Sequence, residues 1–501
     1  MNIKNFIPRD YQESIKNTCL NNNTLVILPT GLGKTKIALL TSIDRLKSFQ
    51  NSKVLFLTPT KPLASQIYSE FIDYTDVDKE KISMLTGKNK PEERIGLFNK
   101  SSIIIATPQT IQKDIENNRI SLENVSLLCI DEAHRSRQKF ANTIVAKNFI
   151  ENSKNQRIIA LTASPGGNRE KINDIINNLF IESVEIRTEN SEDVSEYIQK
   201  KENEWITIEF SGAIKGLHNE IKKVYDNKML ELKKFGIYKP TNLITKKDLL
   251  GLQIRFRDWI RDNNPLAYRG IVLTSQLIKI DYALELLETQ TLKSALKFLE
   301  KIKDDPSKSA KSLIKEYWFE DCLKKINKMI DEGIENPKIN KMIEIIKAQL
   351  EINKDSKIMI FVNFRNTVDE ITERLNKIQD IRAIKLVGQK DGVSQKTQIS
   401  SIKKFEDGVF NVLVGTSISE EGLNISGGSD LAIFYDNVST SIRRIQRSGR
   451  VGRIKAGRII FLMNKDTRDI AYYWKSKKEE VKMRNILNNM KEKKFIQRNL
   501  K

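Results

Sequence analysis

The chain has 501 residues with 85 Lys and Arg against 64 Asp and Glu, a formal net charge of +21, and only two histidines. At about 100–200 residues per domain this length holds about three folding units, and its 39% hydrophobic content excludes a wholly disordered chain. The excess of positive charge points to a polyanionic partner.

No stretch reaches the roughly 18 uninterrupted apolar residues that a membrane span needs. The N-terminus, with Lys4, Arg9 and Asp10, lacks the apolar core of a signal peptide, so a cytoplasmic protein with no membrane partner is expected. Cys19, Cys129 and Cys322 are far apart and odd in number, which leaves neither a disulfide framework nor a CxxC metal site and reads as buried thiols. His134 and His218, the only histidines, exclude a histidine-rich metal centre.

From residue 24 to about 180, apolar runs at 24–28, 53–58, 102–107, 126–131 and 157–162 alternate with longer segments of helical period. Runs apolar on both faces fit the buried strands of a parallel sheet covered by helices, so an open α/β domain is expected. The first run leads into Leu28-Pro29-Thr30-Gly31-Leu32-Gly33-Lys34-Thr35 and then a helical segment. A strand, a glycine-rich turn and a helix N-terminus in that order cradle phosphates with backbone N–H groups. Lys34 is placed to reach the β and γ phosphates and Thr35 to bind Mg²⁺. Leu28 stands where the strict GxxxxGK[ST] pattern has its first glycine, while the TGxGKT core is intact. The fourth run ends in Asp131-Glu132-Ala133-His134, at the sheet edge where parallel strands bind ligands. Asp131 is the candidate metal holder, Glu132 the candidate base for the attacking water and His134 a candidate γ-phosphate sensor.

From about 212 to 333 strand signals almost vanish. Leu284, Leu287, Thr291, Leu292, Leu296 and Leu299 recur at helical spacing with Lys293, Lys297, Lys301 and Lys303 between them, which predicts an inserted helical module. Those lysines form either a solvated helix face or a nucleic-acid surface. The α/β rhythm returns between about 356 and 461, with strands expected at 357–362, 382–387, 410–415, 430–435 and 457–462. Within it stands Gln446-Arg447-Ser448-Gly449-Arg450-Val451-Gly452-Arg453. Arginines three apart, interleaved with glycines, can reach across a cleft to a γ phosphate, and Gln446, Arg450 and Arg453 are taken as catalytic. The segment 474–501 carries ten Lys or Arg against three Glu and reads as a basic helical tail. The expected division is therefore 1–211, 212–335, 336–473 and 474–501.

In this order the motifs resemble those of superfamily 2 helicases over nearly the whole chain. Pro8-Arg9-Asp10-Tyr11-Gln12 resembles the Q motif, which implies that Arg9 and Gln12 hold the adenine. Pro59-Thr60-Lys61-Pro62-Leu63 resembles motif Ia, Leu85-Thr86-Gly87 the TG element and Ala106-Thr107-Pro108-Gln109-Thr110 motif Ib. Thr162-Ala163-Ser164 resembles motif III, which in the family couples the nucleotide site to the nucleic-acid site. Phe361-Val362-Asn363-Phe364-Arg365 resembles motif IV. Val414-Gly415-Thr416-Ser417 through Glu421-Gly422-Leu423-Asn424 resembles motif V, with Gly422 at the nucleotide and Asn424 in place of the group's usual Asp. Together with Val387-Gly388-Gln389, these segments are similar to the archaeal Hef fork helicases and their Fanconi-anaemia relatives, and more distantly to the Dicer helicase domain. No ERK signature of the family's nuclease follows, so a motor without the nuclease is expected.

The resemblance implies an α/β fold of two RecA-like parallel-sheet motor domains with an inserted helical domain. It implies ATP and Mg²⁺ as ligands, the metal on Thr35 and Asp131, and Thr30, Gly31, Gly33 and Lys34 at the phosphates. It implies Thr60, Lys61, Thr86, Gly87, Thr107, Gln109, Thr110, Arg365, Gln389 and Thr416 along a nucleic-acid backbone, with Thr162 and Ser164 as coupling residues. The expected activity is that of an ATP-dependent DNA helicase or translocase acting on branched DNA, forks and junctions, associated with an archaeal nucleoid and partnered by a separate nuclease or sliding clamp. A Dicer-like duplex-RNA-dependent ATPase and a non-unwinding, ATP-gated DNA clamp are the alternatives.

Overall fold

The computed structural model describes residues 1–137, 140–189, 191–198, 201–210, 212–262, 264, 266–388, 394–416, 429–438, 440–449 and 457–499. The N-terminal rhythm forms seven strands: β1 (Thr24–Ile27), β2 (Lys53–Leu57), β3 (Ile82–Leu85), β4 (Ile103–Ala106), β5 (Val125–Ile130), β6 (Ile158–Thr162) and β7 (Ser183–Ile186). They build one parallel sheet in the order β3-β4-β2-β5-β6-β1-β7. Successive residues alternate between two cores, as the two-residue period of a strand requires. Val26, Phe56, Ile105, Cys129 and Ile159 enter one, and Leu25, Leu55, Ile104, Leu128 and Ile158 the other.

The second sheet holds β9 (Ile358–Phe361), β10 (Ala383–Leu386), β11 (Val412–Gly415), β12 (Leu431–Phe434) and β13 (Gly457–Asn464). Its order is β10-β11-β9-β12-β13-β8, again all parallel. The sixth strand, β8 (Lys201–Ile208), precedes the insertion in sequence yet pairs along its whole length with β13. This corrects the expected boundary at 211, because β8 belongs to the second sheet and the chain has already crossed over by residue 201.

Between the domains lies a helical bundle with its own core, built on Leu217, Ile221, Phe256, Leu277, Leu284, Leu299, Phe319 and Ile326. The leucine pattern at 284–299 is divided between the helices Leu266–Thr289 and Leu292–Lys303. The break falls at Gln290 and Thr291, where the Thr291 hydroxyl caps the second helix by accepting from Ser294 N at 3.1 Å. The bundle is fastened to the second domain by buried polar groups. Gln290 Nε2 donates to Asp436 Oδ2 at 2.6 Å, Asn464 Nδ2 to Glu288 O at 2.8 Å and Asn336 Nδ2 to Gln290 O at 2.9 Å. The Ser294 and Thr367 hydroxyls meet at 3.0 Å. Buried donors so paired hold one docking geometry, because any slippage would leave them unpaired away from water.

The basic tail is also corrected. Its helix begins at Arg468 and runs to Asn499, and Met483 and Leu487 are buried in the first domain's core. The helix therefore straps the two motor domains together. The three cysteines are buried and free, and burial pushes the Cys19 and Cys322 thiols up to about 12. Among the described residues no helix is long and apolar enough to cross a membrane.

Candidate nucleotide and nucleic-acid sites

Strand order sorts the motifs. In the first sheet β5, β6 and β1 are neighbours, and from their C-terminal ends emerge Asp131, Thr162 and the 28–35 loop. The adjacent trio β3, β4 and β2 delivers Thr86, Thr107 and Thr60. The second sheet repeats this division. Arg365 and Thr416 follow β9 and β11, whereas the helix Ser441–Ser448, with Gln446, follows β12. Parallel strands bring their C-terminal ends to one edge, so in each domain the two groups of motif residues lie next to each other along that edge.

At the nucleotide half, Gly31 and Gly33 have φ of 87° and 74°, left-handed values that turn the chain into the helix Lys34–Ser48. Lys34 Nζ donates to Leu28 O at 3.0 Å, so the ammonium rests inside the loop it would share with phosphates. Leu28 in place of the first glycine is buried in the core and leaves the loop's course intact. Thr35 occupies the first turn of that helix. Gln12 backs the loop. Its Oε1 accepts from Arg9 N at 3.0 Å, its Nε2 donates to Leu32 O at 3.4 Å, and a Cβ on Gly33 would lie 2.5 Å from that nitrogen. Tyr11 Oη donates to Leu32 O at 2.7 Å, and the Arg9 guanidinium covers the Tyr197 ring at 4.2 Å. Arg9 and Gln12 thus lie together beside the loop, and Gln12 shapes its course.

Asp131 and Glu132 share the floor of the cleft. Glu132 has φ of 50°, a left-handed value unusual for a side-chain-bearing residue, and stored strain of this kind gathers at functional sites. Burial and the neighbouring Glu132 charge push the Asp131 carboxyl up to about 7, against the pull of Lys34. Burial opposes ionisation of Glu132 too, but the adjacent His134, Lys34 and Arg135 outweigh it and hold that carboxyl below its ordinary value. The two carboxyls are therefore driven apart, Asp131 holding a proton more tightly than an ordinary carboxyl and Glu132 less tightly. His134 Nδ1 lies 3.1 Å from Glu132 Oε2 and 3.4 Å from Thr162 Oγ1.

From across the cleft, the helix Ser441–Ser448 ends at Gly449, where a methyl group would overlap the Thr30 hydroxyl. Gln446 is buried, yet among the described residues neither end of its amide has a hydrogen-bond partner. A buried amide unpaired at both ends costs free energy unless a ligand completes it, and the γ end of a nucleoside triphosphate supplies the acceptors. The set therefore fits ATP, with Thr35 and Asp131 as the residues that would hold Mg²⁺. Arg447 faces the other way. It is fully buried, donates to Asn363 Oδ1 at 2.7 Å and lies between the Phe361 and Phe434 rings at 5.5 and 5.6 Å. Gly422, Arg450 and Arg453 lie outside the described residues, as do Asn424 and Gln389.

The other half of the edge is lined by hydroxyls and amines. Among the described residues, Thr60 Oγ1 and Lys61 Nζ are buried without a hydrogen-bond partner. Thr107 and Thr110 share a hydrogen bond at 2.8 Å, while Gln109 is exposed and nothing crowds Gly87. Thr86 is held by Asn89, whose Oδ1 accepts from Thr86 N at 3.2 Å. Lys88, which sequence reasoning passed over, lies against Lys61. Burial and the Lys88 charge lower the Lys61 ammonium to about 8. The signal was present as a lysine directly after Thr86-Gly87. Two ammonium groups brought together concentrate positive charge on this half of the edge.

That pairing gives a pH dependence. Phosphate binding favours protonated Lys61, so affinity for a single strand should fall as pH rises through about 8, by about tenfold between about pH 7 and pH 9. Fluorescence anisotropy on wild type and Lys61→Arg measures it. The arginine variant should flatten the profile, and a flat wild-type profile would remove Lys61 from the contact.

Comparison with known proteins gives the family. Residues 9–172 match the DEAD/DEAH box helicase family, 337–455 the helicase conserved C-terminal domain and 213–350 the family described as "Putative ATP-dependent RNA helicase, helical bundle". The crystal structure of the Pyrococcus furiosus Hef helicase domain superposes with a TM-score of 0.70 at 38% identity, covering 94% of this chain and 98% of that one. The chain belongs to the superfamily 2 helicases of the Hef type. The "Putative ATP-dependent RNA helicase MJ1505" of Methanocaldococcus jannaschii is 37% identical over 486 residues, 96% of this chain and 61% of that protein. The ATP-dependent DNA helicase fml1 of Schizosaccharomyces pombe is 33% identical over 475 residues, 91% of this chain and 57% of that protein. The chain thus spans little more than half the length of these two relatives of the Hef-type family.

Proposed function

We propose that the chain is an ATP-driven helicase or translocase that moves along DNA and acts on branched structures such as forks and junctions. The observation that carries this reading is the twofold division of each sheet edge. In both domains the residues read as nucleotide groups and those read as backbone-binding groups follow neighbouring strands, so in this reading closing the cleft on ATP also moves two grips on one strand relative to each other. In this reading Glu132 accepts the proton of the attacking water, Lys34 and Gln446 hold the terminal phosphate, and Arg450 and Arg453 stabilise the charge that develops on it. Mg²⁺, when bound at Thr35 and Asp131, supplies neutralising charge to the phosphates.

The insertion supports a branched substrate. Its helix Lys246–Arg261 exposes Lys246, Lys247, Arg255, Arg257 and Arg261 beside Leu250 and Ile254, a basic face with apolar residues to rest on a duplex arm. Because the bundle is docked on the second domain, that arm would move with one grip and against the other. A duplex-RNA motor is the second reading, favoured by the RNA helicase names of the helical-bundle family and the Methanocaldococcus relative.

ATPase titration against single-stranded, duplex, forked and four-way DNA, with matched RNAs, decides between them. Forked or four-way DNA should give the highest stimulation; stronger stimulation by duplex RNA would overturn the DNA reading. Strand displacement measured in parallel separates a motor from a non-unwinding clamp that recruits a nuclease.

A further inference from the structure

One turn of the C-terminal helix touches both sides of the nucleotide cleft. On the second-domain side, Glu479 Oε2 accepts from Ser441 N at 3.2 Å, at the start of the helix that ends at Gly449. Glu480 pairs with Arg444 of that helix and with Arg484 one turn along its own. On the first-domain side, Gly167 packs so closely that a Cβ there would lie 2.7 Å from Glu479 O. Ser164 Oγ donates to Met483 Sδ at 3.0 Å.

The Ser164 contact continues inward to the candidate base. Ser164 N donates to Thr162 Oγ1 at 3.2 Å, and Thr162 Oγ1 donates back to Ser164 O at 3.1 Å. That closed pair fixes the hydroxyl that stands 3.4 Å from His134 Nδ1, the nitrogen 3.1 Å from Glu132 Oε2. Ser164, Thr162, His134 and Met483 are all buried, so water cannot substitute for a lost partner. A buried hydroxyl without an acceptor is costly, and the thioether is the acceptor that Ser164 Oγ has.

We propose that Met483 is a positioning residue of the ATPase, acting through Ser164 and Thr162 to hold His134 against Glu132. The turn 479–484 is then the part through which movement of the Ser441–Ser448 helix reaches this chain of side chains. When that helix brings Gly449 against Thr30, Glu479 and Glu480 carry the C-terminal helix with it, and Met483 meets Ser164 in only one of the cleft's two positions. Opening of the cleft would release Ser164 and with it the alignment of the base. The proposal rests on the reading of Ser164 and Thr162 as coupling residues in an ATP-hydrolysing motor.

The test compares steady-state ATP hydrolysis, with and without forked DNA, for Met483→Leu, Ser164→Ala, the double variant and Leu487→Ala in the full chain. Leucine keeps the volume of methionine but accepts no hydrogen bond. Met483→Leu and Ser164→Ala should each lower kcat by about three- to thirtyfold with KM for ATP unchanged, the range of coupling effects along packed contacts. The double variant should be no slower than the slower single. Leu487→Ala, which removes packing from the same helix face, should lower Tm while leaving the ratio of stimulated to unstimulated rates at the wild-type value. Wild-type kcat in Met483→Leu, or effects of the two substitutions that multiply, would overturn the proposal. A wild type that hydrolyses ATP without response to any DNA counts against the DNA-motor reading, and the comparison of unstimulated kcat then decides the role of Met483 alone.

Discussion

Glu132→Gln should lower kcat for ATP hydrolysis by about 10²–10⁴-fold, the usual worth of a positioned general base, and leave ATP binding close to wild type. The two carboxyls on the cleft floor are not equivalent. Asp131 is pushed up to about 7 by burial and by its neighbour, whereas His134, Lys34 and Arg135 hold Glu132 ionised despite its burial. Glu132 Oε2 faces His134 Nδ1 at 3.1 Å, and the ionised carboxylate has further lone pairs to offer a water. Glutamine keeps the shape and the left-handed backbone while losing the ability to take a proton. Asp131, Thr35 and Lys34 are untouched, which is why binding should survive. Phosphate release measured beside equilibrium ATP binding checks both halves. Turnover within a few-fold of wild type would move the base elsewhere, and lost binding would make Glu132 a ligand holder.

How much of this could be read from the sequence follows from where each residue gets its instructions. Central strands such as β1 and β5 are covered on both faces, so they must be apolar throughout, and the runs 24–28 and 126–131 announce them. Edge strands carry no such requirement. β7 reads SVEI and β8 reads KENEWITI, half polar because one side meets solvent, and neither stood out. For β8 the missing instruction is also its partner, since pairing with β13 is a contact across some 250 residues of chain with no local signature. The nucleotide and nucleic-acid motifs could be recognised because each sits on a tight turn after a strand, where local sequence dictates backbone. Their division along the edge could not be seen, because it depends on strand order. The tail was misjudged for a related reason. Its lysines dominate the composition, but the buried Met483 and Leu487 decide where it goes.

The arginine cluster shows the same contrast within three residues of one motif, and it carries the largest expected effect on rate. Arg447 and Arg450 look alike in sequence, three apart and beside glycine or serine. Arg447 turns into the second domain, where its guanidinium lies 3.8 Å from Asp436 Oδ1 and donates to Asn363 Oδ1. Burial pushes the Asp436 carboxyl up to about 6 even with Arg447 beside it. Arg447→Ala should therefore destabilise the second domain by about 3–5 kcal/mol, the cost of leaving a buried charge without its partner, and should be read as an earlier chemical denaturation midpoint. The same Asp436 accepts from Gln290, so this loss should also loosen the helical insertion. Arg450 directly follows Gly449, the residue pressed against Thr30 of the phosphate loop. Arg450→Ala should lower kcat by about 10³–10⁵-fold, as for arginines that stabilise phosphoryl-transfer transition states, with no change in the denaturation midpoint. Equal losses of stability in both variants, or a turnover in Arg450→Ala near that of wild type, would show that the whole cluster is a structural ion-pair network and that the catalytic charge comes from Arg453 or from elsewhere in the cleft.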